Sequence, residues 1–148
     1  MRPSVDSYLD ELRRALAQDF APQLPTLFEQ SALGRHAVLL AAVIEEFDRA
    51  AARRIEENRA LRRLFADAVE TIPDSDLRSR LHAACETEDL SFKVRDLDAS
   101  NCGLRNLLIE LHEQVEQLAG NQARSLEEAI WRELVRSTER RRTALNRF

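Results

Sequence analysis

Leu97, Asn101, Leu104, Leu108, Leu111, Val115 and Leu118 follow one another by alternating steps of four and three. That spacing draws a nearly unbroken apolar seam down one side of a helix, the pattern by which knobs enter holes in coiled coils and bundles. A second seam keeps the same rhythm through Ala37, Leu40, Ile44, Phe47, Ala51, Arg54, Asn58, Leu61, Phe65, Ala68 and Ile72. A helix stripe of this kind is stable only when something covers it, so the two seams predict helices packed on helices. Aromatics at 5%, charged residues at 32% and three glycines favour that outcome over a sandwich or barrel. The expected fold is a single all-helical domain over residues 1–148: an all-α bundle of four to five helices with one long central helix from about 35 to 72.

The boundaries follow from capping and breaking residues. Val5, Leu9, Leu12 and Leu16 share one face and predict a first helix to about Gln18, with Ser4 as its cap. Pro22 and Pro25 break it, and Thr26 with Glu29 has the spacing of a capping box. Gly34 is placed to kink the next segment or to divide it from the main helix, which runs from Arg35 to Ile72 and stops at Pro73. Asp74 or Ser75 caps a third helix carrying Leu77, Leu81, Ala84 and Cys85. Glu88 to Arg95 reads as a connector in which Ser91–Val94 is briefly extended. The seam helix ends at Gly120, and Asn121 to Ser125 begins a fifth helix, with Ser125 and Glu128 at capping-box spacing and a seam of Leu126, Ala129 or Ile130, Leu134, Ser137, Arg141 and Leu145. At 1.5 Å per residue the 35–72 helix spans about 57 Å and the 96–118 helix about 35 Å. The longer one must therefore bend, be covered by other helices, or present part of its length to another subunit.

Asn58 and Asn101 occupy seam positions that Leu or Ile would fill more stably. A buried Asn fixes register at a cost in stability; alternatively, Asn58, Asn101 and His112 line a pocket between helices for a small acyl or CoA-type ligand. Gly103, beside Asn101, costs about 1 kcal/mol against alanine inside a helix, unless it lets another helix approach closely. No metal site is expected, because none of His36, His82 and His112 follows a glutamate by three as a di-iron bundle requires. His82 and Cys85 share a helix face, but Cys85 and Cys102 form neither a C-x-x-C site nor a disulfide framework. There is no nucleophile elbow and no phosphate loop, so no catalytic residue and no cofactor is predicted.

Arg132, Arg136 and Arg140 stand at i, i+4 spacing in a carboxyl-terminal run that continues with Arg141, Arg142 and Arg147. Cations suit the end of a helix and pair with Glu128, Glu133 and Glu139. The same stripe suits an acidic partner, a phosphate-bearing cofactor or RNA. Nucleic acid ranks last, since the net charge is −4 and no aromatics are interleaved for base stacking. No apolar run approaches the roughly 20 residues that cross a bilayer, and the amino terminus lacks the layout of a secretion signal. The expected location is the cytoplasm, with no membrane partner.

The order Tyr8-Leu9-Asp10-Glu11-Leu12-Arg13-Arg14, then Phe20-Ala21-Pro22-Gln23-Leu24-Pro25, then the alanine-rich His36–Phe47 segment resembles a family of small bacterial all-helical proteins. Its members are encoded near phosphotransferase-like and acyl-CoA dehydrogenase-like proteins. The resemblance covers the amino-terminal half; Asp98–Asn101 and Leu107–His112 lie outside it. The family has no established activity, so no residue role carries over. The sequence favours a non-catalytic interaction protein that forms a homo-oligomer or binds a protein partner. The alternatives are the small-ligand protein above and a carboxylate-dependent enzyme or metalloprotein.

Overall fold

Each change of direction in the chain falls at a residue whose chemistry ends a helix. The computed structural model describes residues 4–143, and among them all regular structure is helical. Helix α1 (Val5–Arg14) widens into a π turn over Ala15–Phe20 and tightens into a 3-10 turn over Ala21–Gln23. Pro22 has no N–H for the carbonyl one turn back, so the regular ladder predicted to Gln18 does not run through. The capping box then forms: Glu29 N donates to Thr26 Oγ1 and Thr26 N to Glu29 Oε2, both at 3.2 Å.

Helix α2 (Leu27–Ala68) starts directly after that cap rather than at Arg35. Gly34 does not interrupt it. The helix closes before Ile72 because the residue preceding Pro73 is pushed out of the helical region, and Thr71 N turns back onto the Ala68 carbonyl at 2.9 Å. Its 42 residues extend about 63 Å. Helix α3 (Ser75–Cys85) is capped by Asp74, whose carboxylate accepts from Asp76 N and Leu77 N at 2.8 and 3.0 Å. Helix α4 (Val94–Gln117) begins where a short extended stretch is predicted, and Leu118 lies just beyond its end. Helix α5 (Asn121–Arg140) starts at Asn121, because Gly120 takes φ +108° and ψ 175° and turns the chain itself. Ser125 is thus inside the helix and caps nothing. Leu145 and Arg147 lie outside the described residues.

The chain divides into two compact units. Ala51–Arg141 is one, and the described residues on either side of it belong to the other. The first has a core drawn from all of its helices: Leu61, Phe65 and Ala68 of α2, Leu77 and Leu81 of α3, Leu104, Leu108, Leu111 and Val115 of α4, and Leu126 and Ile130 of α5. Phe65, Leu81, Leu111 and Ile130 are sealed from solvent. Every residue of the 97–118 seam within α4 is buried.

The other unit is built differently. Its buried apolar side chains, among the described residues, are Ala21, Ala37 and Ala50. Large ones stay in water, and Phe47 of the long seam is 57% exposed. The second seam is therefore a core stripe from Asn58 onward; before Ala50, Ala37 is buried, Leu40 and Ile44 are half-buried and Phe47 is open. Continuity through Gly34 also joins Leu27, Phe28 and Leu33 to the apolar run Ala37–Ile44. An 18-residue window of α2 reaches a mean hydropathy of 1.2 with 6% of it buried, so by length and composition this helix could cross a membrane.

Two glycines separate backbone freedom from packing. A Cβ at Gly103 or Gly120 would meet nothing within 4 Å, so Gly103 is not there to admit a neighbouring helix. Gly103→Ala is expected to stabilise the protein by about 0.5–1 kcal/mol, since it only removes backbone freedom from the unfolded chain. Gly120→Ala is expected to destabilise it by about 1–3 kcal/mol, because its φ and ψ belong to a region that residues with a Cβ avoid. Urea unfolding of both variants checks the opposite signs.

Candidate functional site

The polar residues of the seams gather inside the Ala51–Arg141 unit. Asn101 Nδ2 donates to Asn58 Oδ1 at 2.9 Å, and Asn58 Nδ2 donates to Asp89 Oδ1 at 3.0 Å and to the Leu97 carbonyl at 3.4 Å. Both amides are buried. One turn further along α2, Arg62 grips Asp89 with two nitrogens at 2.9 and 3.1 Å and also reaches Thr87 Oγ1 and Ser100 Oγ. Ser100 Oγ donates to the same carboxylate at 3.1 Å. Burial pushes the Asp89 carboxyl up; the bonds from Arg62, Asn58 and Ser100 outweigh it and hold the group below its ordinary range. The connector between α3 and α4 is thereby pinned through Asp89, while Leu90 and Phe92 beside it face solvent. Clefts of about 300 and 390 Å³ border Asp89.

Glu57, next to Asn58, anchors a second cluster. Arg141 donates Nε to Glu57 Oε1 at 2.8 Å and Nη2 to Oε2 at 2.9 Å; Ser137 Oγ donates at 3.1 Å and Arg54 Nη1 at 3.0 Å. Arg54 also binds Asp98. Glu57 is 1% exposed. Burial raises its pKa, but the paired bonds and charge of Arg141, then Ser137 and Arg54, prevail and bring it to about 2. Glu133 shows the opposite balance: burial pushes its carboxyl up, and Arg140, at 2.7 and 2.9 Å, and Arg136 only partly offset this.

Chemically these groups are committed to one another. A carboxylate that accepts four bonds and titrates near 2 is a weak base. The cavity that Glu57, Asn101, Arg105 and Ser137 line is about 10 Å³, the room of one water. Among the described residues no three His, Cys, Asp or Glu side chains converge on a metal position.

The structure brings Asn58 and Asn101 together but places His112 elsewhere. It sits eleven residues beyond Asn101 on α4, about 16 Å along the axis. There it packs edge-on against Trp131 at 5.4 Å, with its Nε2 3.6 Å from Glu116. The basic stripe also splits. Arg140 turns to Glu133, while Arg132 and Arg136 line a cleft of about 350 Å³ with Arg63 of α2. Glu57, Arg62, Asp89 and Arg63 are not visible from spacing: Arg141 and Ser137 reach Glu57 from the α5 end, Arg62 meets Asp89 from another element, and Arg63 joins Arg132 and Arg136 only once α5 lies against α2. Arg54, Ser137 and Arg141, polar residues on apolar seams, are the signals that point toward the Glu57 cluster.

These features define an all-α bundle with an ionic and amide-lined interior. A comparison with protein-family models, curated proteins and solved structures yields no match.

The acid response follows from Glu57. Its folded pKa is depressed, so its stabilisation is complete above the ordinary value of 4.5 and is lost as pH falls toward 2. Unfolding free energy is expected to drop by about 2–3 kcal/mol through this group over that window. Asp89 adds to the drop and Glu133 opposes it, because its raised pKa favours the protonated folded state. Urea titrations at stepped pH should show the slope in the wild type and a shallower one in Glu57→Gln.

Proposed function

We propose that the protein is a non-catalytic interaction module that self-associates through the amino-terminal half of α2. The observation that carries this reading is the exposed face of that half. Leu27, Phe28, Val38, Leu39, Val43 and Phe47 are between 49% and 80% exposed. Leu39, Val43 and Phe47 follow at i, i+4 spacing, and Phe28 joins their stripe three turns before Leu39. Side chains of this size offer on the order of 600 Å² together, most of the roughly 800 Å² that each partner gives to a stable interface. Tyr8, Leu12 and Phe20 expose more apolar surface in the same unit.

Charge favours a second copy as the occupant. Arg35 and His36 precede the centre of the stripe, and Glu45, Glu46 and Asp48 follow it, with Arg49 already on Glu45 at 2.5 Å. An antiparallel two-fold pairing that sets Leu39 opposite Val43 brings the basic end of each copy against the acidic end of the other. A parallel pairing would stack like charges. The resemblance to helical proteins encoded beside enzymes supports an accessory role of this kind. A cytoplasmic location is part of this reading: the apolar run Ala37–Ile44 is flanked by Arg35 and His36 on one side and Glu45 and Glu46 on the other.

Sedimentation equilibrium tests the reading. The wild type is expected to be a dimer at micromolar concentration, and Leu39→Glu with Val43→Glu should raise the dissociation constant at least a hundredfold without loss of helicity in Ala51–Arg141. Glu46→Arg should weaken the dimer, and adding Arg35→Glu should restore it. A wild type that stays monomeric to high concentration, or that partitions into lipid vesicles instead, contradicts the proposal.

A further inference from the structure

The Arg132 and Arg136 side chains acquire a neighbour that the one-dimensional stripe does not show. Together with Arg63 they line a cleft between α2 and α5 of about 350 Å³, within the size range of small-ligand sites. None of the three makes an ion pair among the described residues, and Arg132 spends only its Nε, on the Glu128 carbonyl at 3.3 Å. Arg140, Arg141, Arg54 and Arg62, in the same unit, are all taken by carboxylates. Three guanidinium groups from two helices thus face one concavity whose lining holds two carboxyl groups, Asp67 and Glu133.

The other lining groups define what fits. Ala60, Leu64 and Ala129 form an apolar floor. Glu133 is on the wall and is engaged by Arg140 at 2.7 Å, so the arginines of the cleft outnumber the one remaining acid, Asp67. Asp67 is the remaining acid, one turn beyond Arg63, and offers an acceptor to a hydroxyl or amino group. Guanidinium forks match phosphate oxygens in pairs, and holding like charges together without a bound anion is unfavourable. We infer that the Arg63–Arg132–Arg136 cleft is a binding site for the phosphate group of a small phosphorylated molecule. The site lies wholly within Ala51–Arg141 and is independent of self-association.

Isothermal titration calorimetry with inorganic pyrophosphate at pH 7 and low salt is the test. One saturable site per chain is expected. Arg63→Gln and Arg136→Gln should each weaken it at least tenfold, and Arg78→Gln, an exposed arginine of α3 away from the cleft, should leave it unchanged. All three residues are exposed, so thermal unfolding should match the wild type. An absence of binding, or an equal loss in Arg78→Gln, overturns the site. Cosedimentation with phosphatidylcholine vesicles containing phosphatidic acid separates the sources of phosphate. Binding to vesicles without binding to pyrophosphate would contradict a small soluble ligand; pyrophosphate binding with no vesicle binding supports one.

Discussion

Two adjacent residues of α2, Glu57 and Asn58, carry the arrangement of the Ala51–Arg141 unit. From one turn of helix, Glu57 reaches the carboxyl-terminal end of α5 through Ser137 and Arg141, and Asn58 reaches α4 and the preceding connector through Asn101 and Asp89. Taking a carboxylate and two amides out of water is costly, and only the full set of partners makes it tolerable. A slip of either helix by one residue would strand these groups. Apolar packing supplies the driving force for the unit, while the polar cluster restricts it to a single register.

Much of the helical organisation is legible in the sequence. The four-three spacing identified α4 and its buried face, Asp74 and the Thr26–Glu29 pair marked helix starts, and the two asparagines stood out as polar residues on apolar seams. What periodicity could not supply is contact between distant segments. Arg62 and Asp89 are 27 residues apart, and each has nearer charges to suggest a surface role. Arg63 becomes part of a cleft only once α5 lies against α2. The seam also overstated burial at Phe47, because the spacing of apolar residues says that a stripe needs covering and does not say by what.

The two halves of the long helix therefore pose different physical problems. From Asn58 to Ala68 its apolar stripe meets three other helices of the same chain. Before Ala50, large side chains face water where alanines are buried. An apolar surface of that size on a stable protein marks a contact. The self-association proposed above would cover it with a second copy of the same helix. The inferred phosphate site belongs to the other unit, Ala51–Arg141.

Hydrogen exchange measured at two protein concentrations, tenfold above and tenfold below the dimer midpoint, tests the central claim most directly. The account predicts that amides of residues 27–50 exchange more slowly at the higher concentration, while those of Ala51–Arg141 are protected equally at both. Protection of residues 27–50 that does not change with concentration would contradict it.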